Sequence, residues 1–182
     1  MSIVLQLLIS LGVMCLVMAL LCLLQRRTGD AGIVDVAWGL GVGLLATFYC
    51  VVNDGLPQRR LLIAVLAMAW AVRLSLHVLR RVLQLPEDGR YQSLKSEWGA
   101  EVGGKMFRFY QFQAVASVLF ALPMLIAARN ATPWGPLDIL GGVIWLVAVS
   151  GETIADRQLD RFRDNPANKG RVCQQGLWRY SR

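Results

Sequence analysis

Five apolar runs constrain this chain more than anything else in it. Residues 3–24, 33–52, 61–79 and 106–128 each come close to or exceed the roughly 20 residues that an α-helix needs to cross a hydrocarbon layer at about 1.5 Å per residue. The fifth run, 136–150, is shorter and spans only if its helix continues past the lipid. With 182 residues at 55% hydrophobic, 17% charged and a mean hydropathy of +0.47, a single soluble core could not hide the apolar surface. The first run has neither a basic leader nor a small-x-small cleavage site, so it reads as a retained span. The sequence predicts an all-α, polytopic membrane helix bundle of about five transmembrane helices. No repeat, low-complexity stretch or long linker divides it, so 1–182 is read as one membrane domain.

Orientation follows from Lys and Arg in the connections. With the N-terminus outside, the inner segments hold Arg26, Arg27, Arg80, Arg81, Arg90, Lys95, Lys105 and all the cations of the tail, whereas the outer ones hold only Arg59, Arg60 and Arg129. The tail, 151–182, is therefore expected on the cytoplasmic side as a helix extension followed by a loop. The net charge of +7 fits topology signals and anionic headgroups. No zinc-finger, helix-turn-helix or aromatic RNA-binding pattern accompanies it, so nucleic acid is not an expected partner. Cys15, Cys22 and Cys50 lie in apolar runs, Cys173 stands alone in the tail, and His77 is the one histidine. Neither a disulfide framework nor a metal-ligand spacing emerges.

Polar residues inside the spans carry more information. In this orientation Asp35, Arg73, His77, Arg108, Gln111, Gln113 and Glu152 all fall in the cytoplasmic leaflet. Ionisable groups at that depth are costly and usually face a bundle interior or a wet cavity, although residues near helix ends also snorkel or pair structurally. Arg73, His77, Arg80 and Arg81 stand at i, i+4, i+7 and i+8, one stripe of a helix that suits an anionic ligand or a carboxylate such as Asp35. If the fifth helix runs unbroken to about Arg163, then Glu152, Asp156 and Arg163 share a narrow arc. Arg157 and Arg161 form a like-charged i, i+4 pair beside it, which a phosphate or a lipid headgroup would relieve. Asn165-Pro166 should end that helix. Gly170 and Gly176 then frame a loop carrying Trp178 and Tyr180, aromatics beside cations as a nicotinamide–adenine dinucleotide or a membrane interface would have them.

Taken in order, several elements resemble a known family. They are Asp35-x-x-Trp38-Gly39, Arg73-x-x-x-His77-x-x-x-Arg81, Glu87-Asp88-Gly89-Arg90-Tyr91, Gln113 with Pro123, Glu152-x-x-x-Asp156-x-Gln158, and Gly176-Leu177-Trp178-Arg179-Tyr180-Ser181-Arg182. Together they resemble the bacterial "domain of unknown function 1295" proteins, which are similar to the C-terminal domain of steroid 5-alpha-reductases. The resemblance implies a bundle of about seven helices in the bacterial inner membrane, holding NADPH on its cytoplasmic side and passing a hydride to a C=C conjugated with a carbonyl in a lipophilic substrate. It also implies the site. Asp35 and His77 would be catalytic, and Arg81, Arg90, Tyr91, Glu152, Asp156, Arg163, Trp178, Tyr180 and Arg182 would bind the cofactor.

Two departures accompany it. Steroid reductases carry a Gln-Glu pair in their N-terminal helices and a Tyr directly after the histidine of helix three. Here Val78 follows His77, and Asp35 is the nearest acid. In the family, the motif ending at Arg182 is followed by His-Pro-Asn-Tyr-Phe-Gly-Glu and two more helices, so the resemblance implies a truncated product with an incomplete site. The alternatives are an S-adenosylmethionine-dependent membrane methyltransferase of the isoprenylcysteine or phospholipid type and a non-catalytic protein that binds membrane lipids. Phosphate-free S-adenosylmethionine gives the arginines less to do.

Overall fold

The computed structural model describes residues 1–180 and is helical throughout its regular structure. Six α-helices follow one another: α1 (Ile3–Thr28), α2 (Ile33–Val52), α3 (Pro57–Gln84), α4 (Gly89–Trp98), α5 (Val102–Ala128) and α6 (Pro136–Asp164). Five are long and apolar enough to cross a membrane, α4 with the turn after it leading into the α5 span. Each of α1, α3 and α6 outruns the apolar segment that predicts it, because its last turns are built of strong helix formers with charged side chains. The short α4 is the element that the apolar pattern does not announce. Its signal is Asp88-Gly89, where Asp88 caps the helix by accepting the Arg90 N–H at 2.9 Å.

The chain divides into two compact units, Met1–Trp134 and Gly135–Arg182. In the first, α2 is central and packs on α3 and α5, and α1 lies chiefly on α5. α1 buries one narrow stripe, Gln6, Ser10, Met14, Met18, Cys22 and Gln25, and leaves its many Leu, Ile and Val side chains exposed. That inversion suits a lipid solvent, in which apolar side chains gain nothing by leaving the tails and helices associate through close packing and polar contacts. Opposite the stripe, α5 presents Met106, Tyr110, Ala114, Val118, Ala121 and Leu125 at helical spacing, completing the core.

Small residues set the α2–α3 distance. Gly39 and Gly43 on α2 face Ala67, Ala71 and Ser75 on α3, and a Cβ at Gly43 would stand 2.4 Å from the Ala71 Cβ. The approach is close enough for the Ser75 hydroxyl to donate to the Val36 carbonyl at 3.1 Å. At the end of the bundle where α1 starts, a buried amide pair adds direction. Asn53 Nδ2 donates to Gln6 Oε1 at 2.8 Å, Gln6 Nε2 returns a bond to Asn53 Oδ1 at 2.9 Å, and Arg129 donates to the same oxygen at 2.7 Å. Arg59 and Arg60 close the neighbouring helix ends by donating to the Asn130 and Cys50 carbonyls.

The second unit is α6 and the segment that returns onto it. α6 runs to Asp164 and stops at Asn165-Pro166, as its sequence predicts. Gly176 takes a φ of +58° and sits against Gln158, which turns residues Gly176–Tyr180 back along the helix. Leu177 N–H donates to Gln158 Oε1 at 2.8 Å, and the Trp178 indole donates to the Ala155 carbonyl at 2.7 Å.

These contacts predict opposite outcomes at two glycines. Gly43→Ala inserts a methyl group where Ala71 already lies and costs about 1–3 kcal/mol of stability. Gly12→Ala meets open space in α1 and leaves stability unchanged or slightly raised. Thermal unfolding in detergent, followed by circular dichroism, checks both. Asn53→Leu strands the buried Gln6 amide and should cost about as much as the Gly43 change.

Candidate functional site

A polar cluster occupies the other end of the first unit, where α2 begins and α3 stops. It starts from the turn between α1 and α2, whose backbone groups would be unpaired without side chains brought from elsewhere. Glu87 accepts the Ala31 N–H at 2.7 Å, the Tyr110 hydroxyl donates to the Ala31 carbonyl at 3.2 Å, and Lys95 reaches the Gly29 carbonyl. Lys95 also pairs with Glu87 at 2.5 Å, so α4, the α3–α4 connection and this turn form one hydrogen-bonded piece.

Asp35, in the first turn of α2, lies beside that piece. Its Oδ1 accepts the Tyr91 hydroxyl at 2.9 Å, and its Oδ2 accepts the Arg90 guanidinium at 3.3 Å. Tyr91 is only 2% exposed and packs edge-on against Phe109, with the Arg90 guanidinium 5.5 Å above its ring. Asp88 joins the set by accepting from Arg81 and, at 3.2 Å, from Arg90 Nε. The two Arg90 contacts differ little in length from the Tyr91 bond but not in consequence. Arg90 is 67% exposed and its ion pairs are weakened by water, whereas the buried Tyr91–Asp35 bond is not.

Burial pushes the Asp88 carboxyl up, but the Arg90 N–H and guanidinium and the Arg81 charge outweigh it and hold Asp88 below the usual carboxylate range. Beneath these groups is a cleft of about 20 Å³, with Asp30, Asp35, Val78, Arg81, Glu87 and Asp88 among its walls. That is room for about one water molecule.

The structure thus brings Asp35, Arg81, Arg90 and Tyr91 into one cluster. His77 is half-buried on α3, one turn from Arg81, and does not line the cleft. Of the residues in the second unit, Glu152 and Asp156 are half-buried and engaged, Arg163 is exposed on the last turn of α6, and Tyr180 is 72% exposed under the Arg179 guanidinium. Trp178 is tied to α6 through its indole N–H. Arg182 lies outside the described residues. Sequence reasoning did not count Glu87, Asp88, Lys95 and Tyr110 as site residues. Asp88 was legible as a helix cap ahead of Gly89, but Lys95 and Tyr110 carry no local signal, since only the fold brings them to Gly29 and Ala31.

The Asp88 contacts predict an acid-side effect. Because its pKa is lowered in the folded state, the stability it contributes is present above the unfolded value of about 3.9 and is lost as pH falls through the folded value. Asp88→Asn, which keeps a cap acceptor but not the charge, should flatten the stability loss below about pH 4, as seen in thermal unfolding against pH. Asp88→Ala should also speed amide hydrogen exchange across 89–98 by removing a cap worth about 1 kcal/mol.

Comparison with known proteins gives one finding. Residues 21–182 match the family described as "Protein of unknown function (DUF1295)". No curated protein and no solved structure matches the chain. A match over that much of the sequence, on an all-helical chain with five helices long and apolar enough to cross a membrane, places it: the protein belongs to the DUF1295 family.

Proposed function

We propose that this protein is a membrane-embedded NADPH-dependent reductase acting on the conjugated C=C of a lipophilic enone, with its polar site at the cytoplasmic face of the bacterial inner membrane. The observation that carries the reading is the assembly of Asp35, Arg81, Arg90 and Tyr91, from three separate helices, through bonds to the Asp35 and Asp88 carboxylates that line one cleft. Such a set of convergent polar groups at one end of an apolar bundle is what a cofactor-binding membrane enzyme requires.

The donor set fits a pyrophosphate. Arg81 commits one Nη to Asp88, and Arg90 commits Nε and one Nη to Asp88 and Asp35. Each guanidinium has five N–H groups, so both keep donors for a further acceptor, and both are partly exposed. The cleft below them is far smaller than the roughly 300–1,000 Å³ of small-molecule sites. A dinucleotide would therefore lie on the outer side of the arginine pair.

NADPH, when bound, supplies the hydride. Asp35 then has a positioning task, since it holds the Arg90 guanidinium and the Tyr91 hydroxyl at once. His77 sits about 6 Å deeper along α3 than Arg81 and is the group assigned, by the resemblance, to the substrate side. Asp156, Arg163, Trp178 and Tyr180 enter as cofactor contacts on the same ground.

Calorimetric titration of NADPH into detergent-purified protein tests this. Binding should weaken about tenfold or more in Arg90→Ala and Arg81→Ala, and more at high salt than at low. Arg163→Ala should weaken it too. Binding of S-adenosylmethionine in place of NADPH would move the protein to the methyltransferases. Binding of neither would sink the reductase reading.

A further inference from the structure

The rim where α1 ends and α5 begins carries charge that the rest of the fold does not use. α5 turns Met106, Tyr110 and Ala114 into the core. Arg108 follows Met106 by two residues, about 200° round the helix, and so points outward. Further along its stripe come Phe112, Val115 and Leu119, at i+4, i+7 and i+11 and 42–67% exposed. In a helix apolar enough to span a membrane this is a lipid-facing stripe, and Arg108 stands at its head, two residues into the apolar run. An ionisable residue at that depth is expected to face a bundle interior or a wet cavity. The fold instead leaves Arg108 exposed.

Arg108 has neither a hydrogen bond nor an ion pair to any other described residue. Glu101, the acid with which it interacts electrostatically, is already paired with Lys105 at 2.8 Å. From α1, the exposed Arg26 reaches the same rim, where its Nη2 donates to the Gly103 carbonyl at 3.4 Å and its guanidinium keeps donors to spare. Gly104 lies one turn before Arg108, and nothing stands over it: a Cβ there would meet no atom within 4 Å. Side chains on a helix lean toward its N-terminus, so Arg108 leans over Gly104 to the end where Arg26 is anchored.

We propose that this α1–α5 rim binds an anionic phospholipid, its headgroup phosphate held by Arg26 and Arg108 over Gly104 and one acyl chain lying along Phe112, Val115 and Leu119. The stripe selects the occupant. A free phosphate or a nucleotide would match the guanidinium groups but would find no use for the apolar stripe that continues from them. A choline lipid has both chain and phosphate, yet its own ammonium cancels the charge that the arginines attract. Across the rim three cations, Arg26, Lys105 and Arg108, face one acid, Glu101, so a net positive charge borders the lipid. Arg108 reaches the headgroup level by extending its apolar stem along the helix.

Two photoreactive phospholipids, identical in acyl chains and diazirine but carrying glycerol or choline on the phosphate, test this on the full chain in phosphatidylcholine nanodiscs. Mass spectrometry locates the labels. The glycerol lipid should label the start of α5 and the end of α1 about five- to twentyfold more than the choline lipid, as one to two arginines near a headgroup support. High salt should narrow that ratio. Arg108→Gln should lower it several-fold, Arg108→Lys should keep most of it, and Arg26→Gln with Arg108→Gln should bring it to about one. Unfolding temperature in phosphatidylcholine should not move in the Arg108 variants. Equal labelling of the unaltered chain, or a preference that survives the double variant, would reduce the rim to an ordinary basic surface and overturn the proposal. So would exclusion of both probes together with copy-to-copy disulfide formation by Phe112→Cys, which would assign the stripe to a second copy of the chain. The readout uses neither NADPH nor turnover, so either result leaves the reductase reading where it stood.

Discussion

The close approach of α2 to α3 at Gly43 is the constraint from which the rest of the first unit follows. A methyl group there would stand 2.4 Å from the Ala71 Cβ, so the two helices are too near for side chains at both positions. In a bilayer this is a main source of cohesion, because dispersion contacts and short polar bonds replace the hydrophobic effect between helices. The register it imposes places the start of α2 beside the end of α3. Asp35 is thereby next to the segment that leads into α4, and the Arg90 and Tyr91 contacts become available.

Two polar knots then fix the ends of the bundle. In the Gln6–Asn53–Arg129 knot the two amides are buried and bonded to each other in both directions, and the exposed Arg129 donates to Asn53 from the edge. The knot at the other end is built of carboxylates and cations and is partly open to water. Their chemistry differs in a way that suits different tasks. The neutral Gln6 and Asn53 amides hold geometry without burying a charge, whereas exposed arginines held by acids keep spare donors for an anion.

That second knot also explains why α4 sits where it does. A ten-residue helix with little apolar surface is not stable alone. It is secured by the Asp88 cap, the buried Tyr91 ring and the Lys95 contacts with Glu87 and Gly29. Any ligand that draws Arg90 away from Asp35 therefore meets weak resistance, because the water-exposed ion pair yields first and Tyr91 stays in place.

Much of this architecture was legible from the sequence, because a bilayer requires about 20 apolar residues per span and Asn165-Pro166 cannot continue a helix. The stripe spacing of His77 and Arg81 was legible too, since helical periodicity is local. What tertiary structure alone decided was which polar groups meet. Lys95 and Glu87 are as ordinary in sequence as any surface pair, yet they complete the α1–α2 turn 56 and more residues away. Ser10 reads as one more small residue in an apolar run, and only the fold buries its hydroxyl within reach of the Tyr49 hydroxyl. The division has a physical reason. Helix formation and membrane insertion depend on neighbours within a few residues along the chain, whereas hydrogen-bond satisfaction depends on neighbours in space.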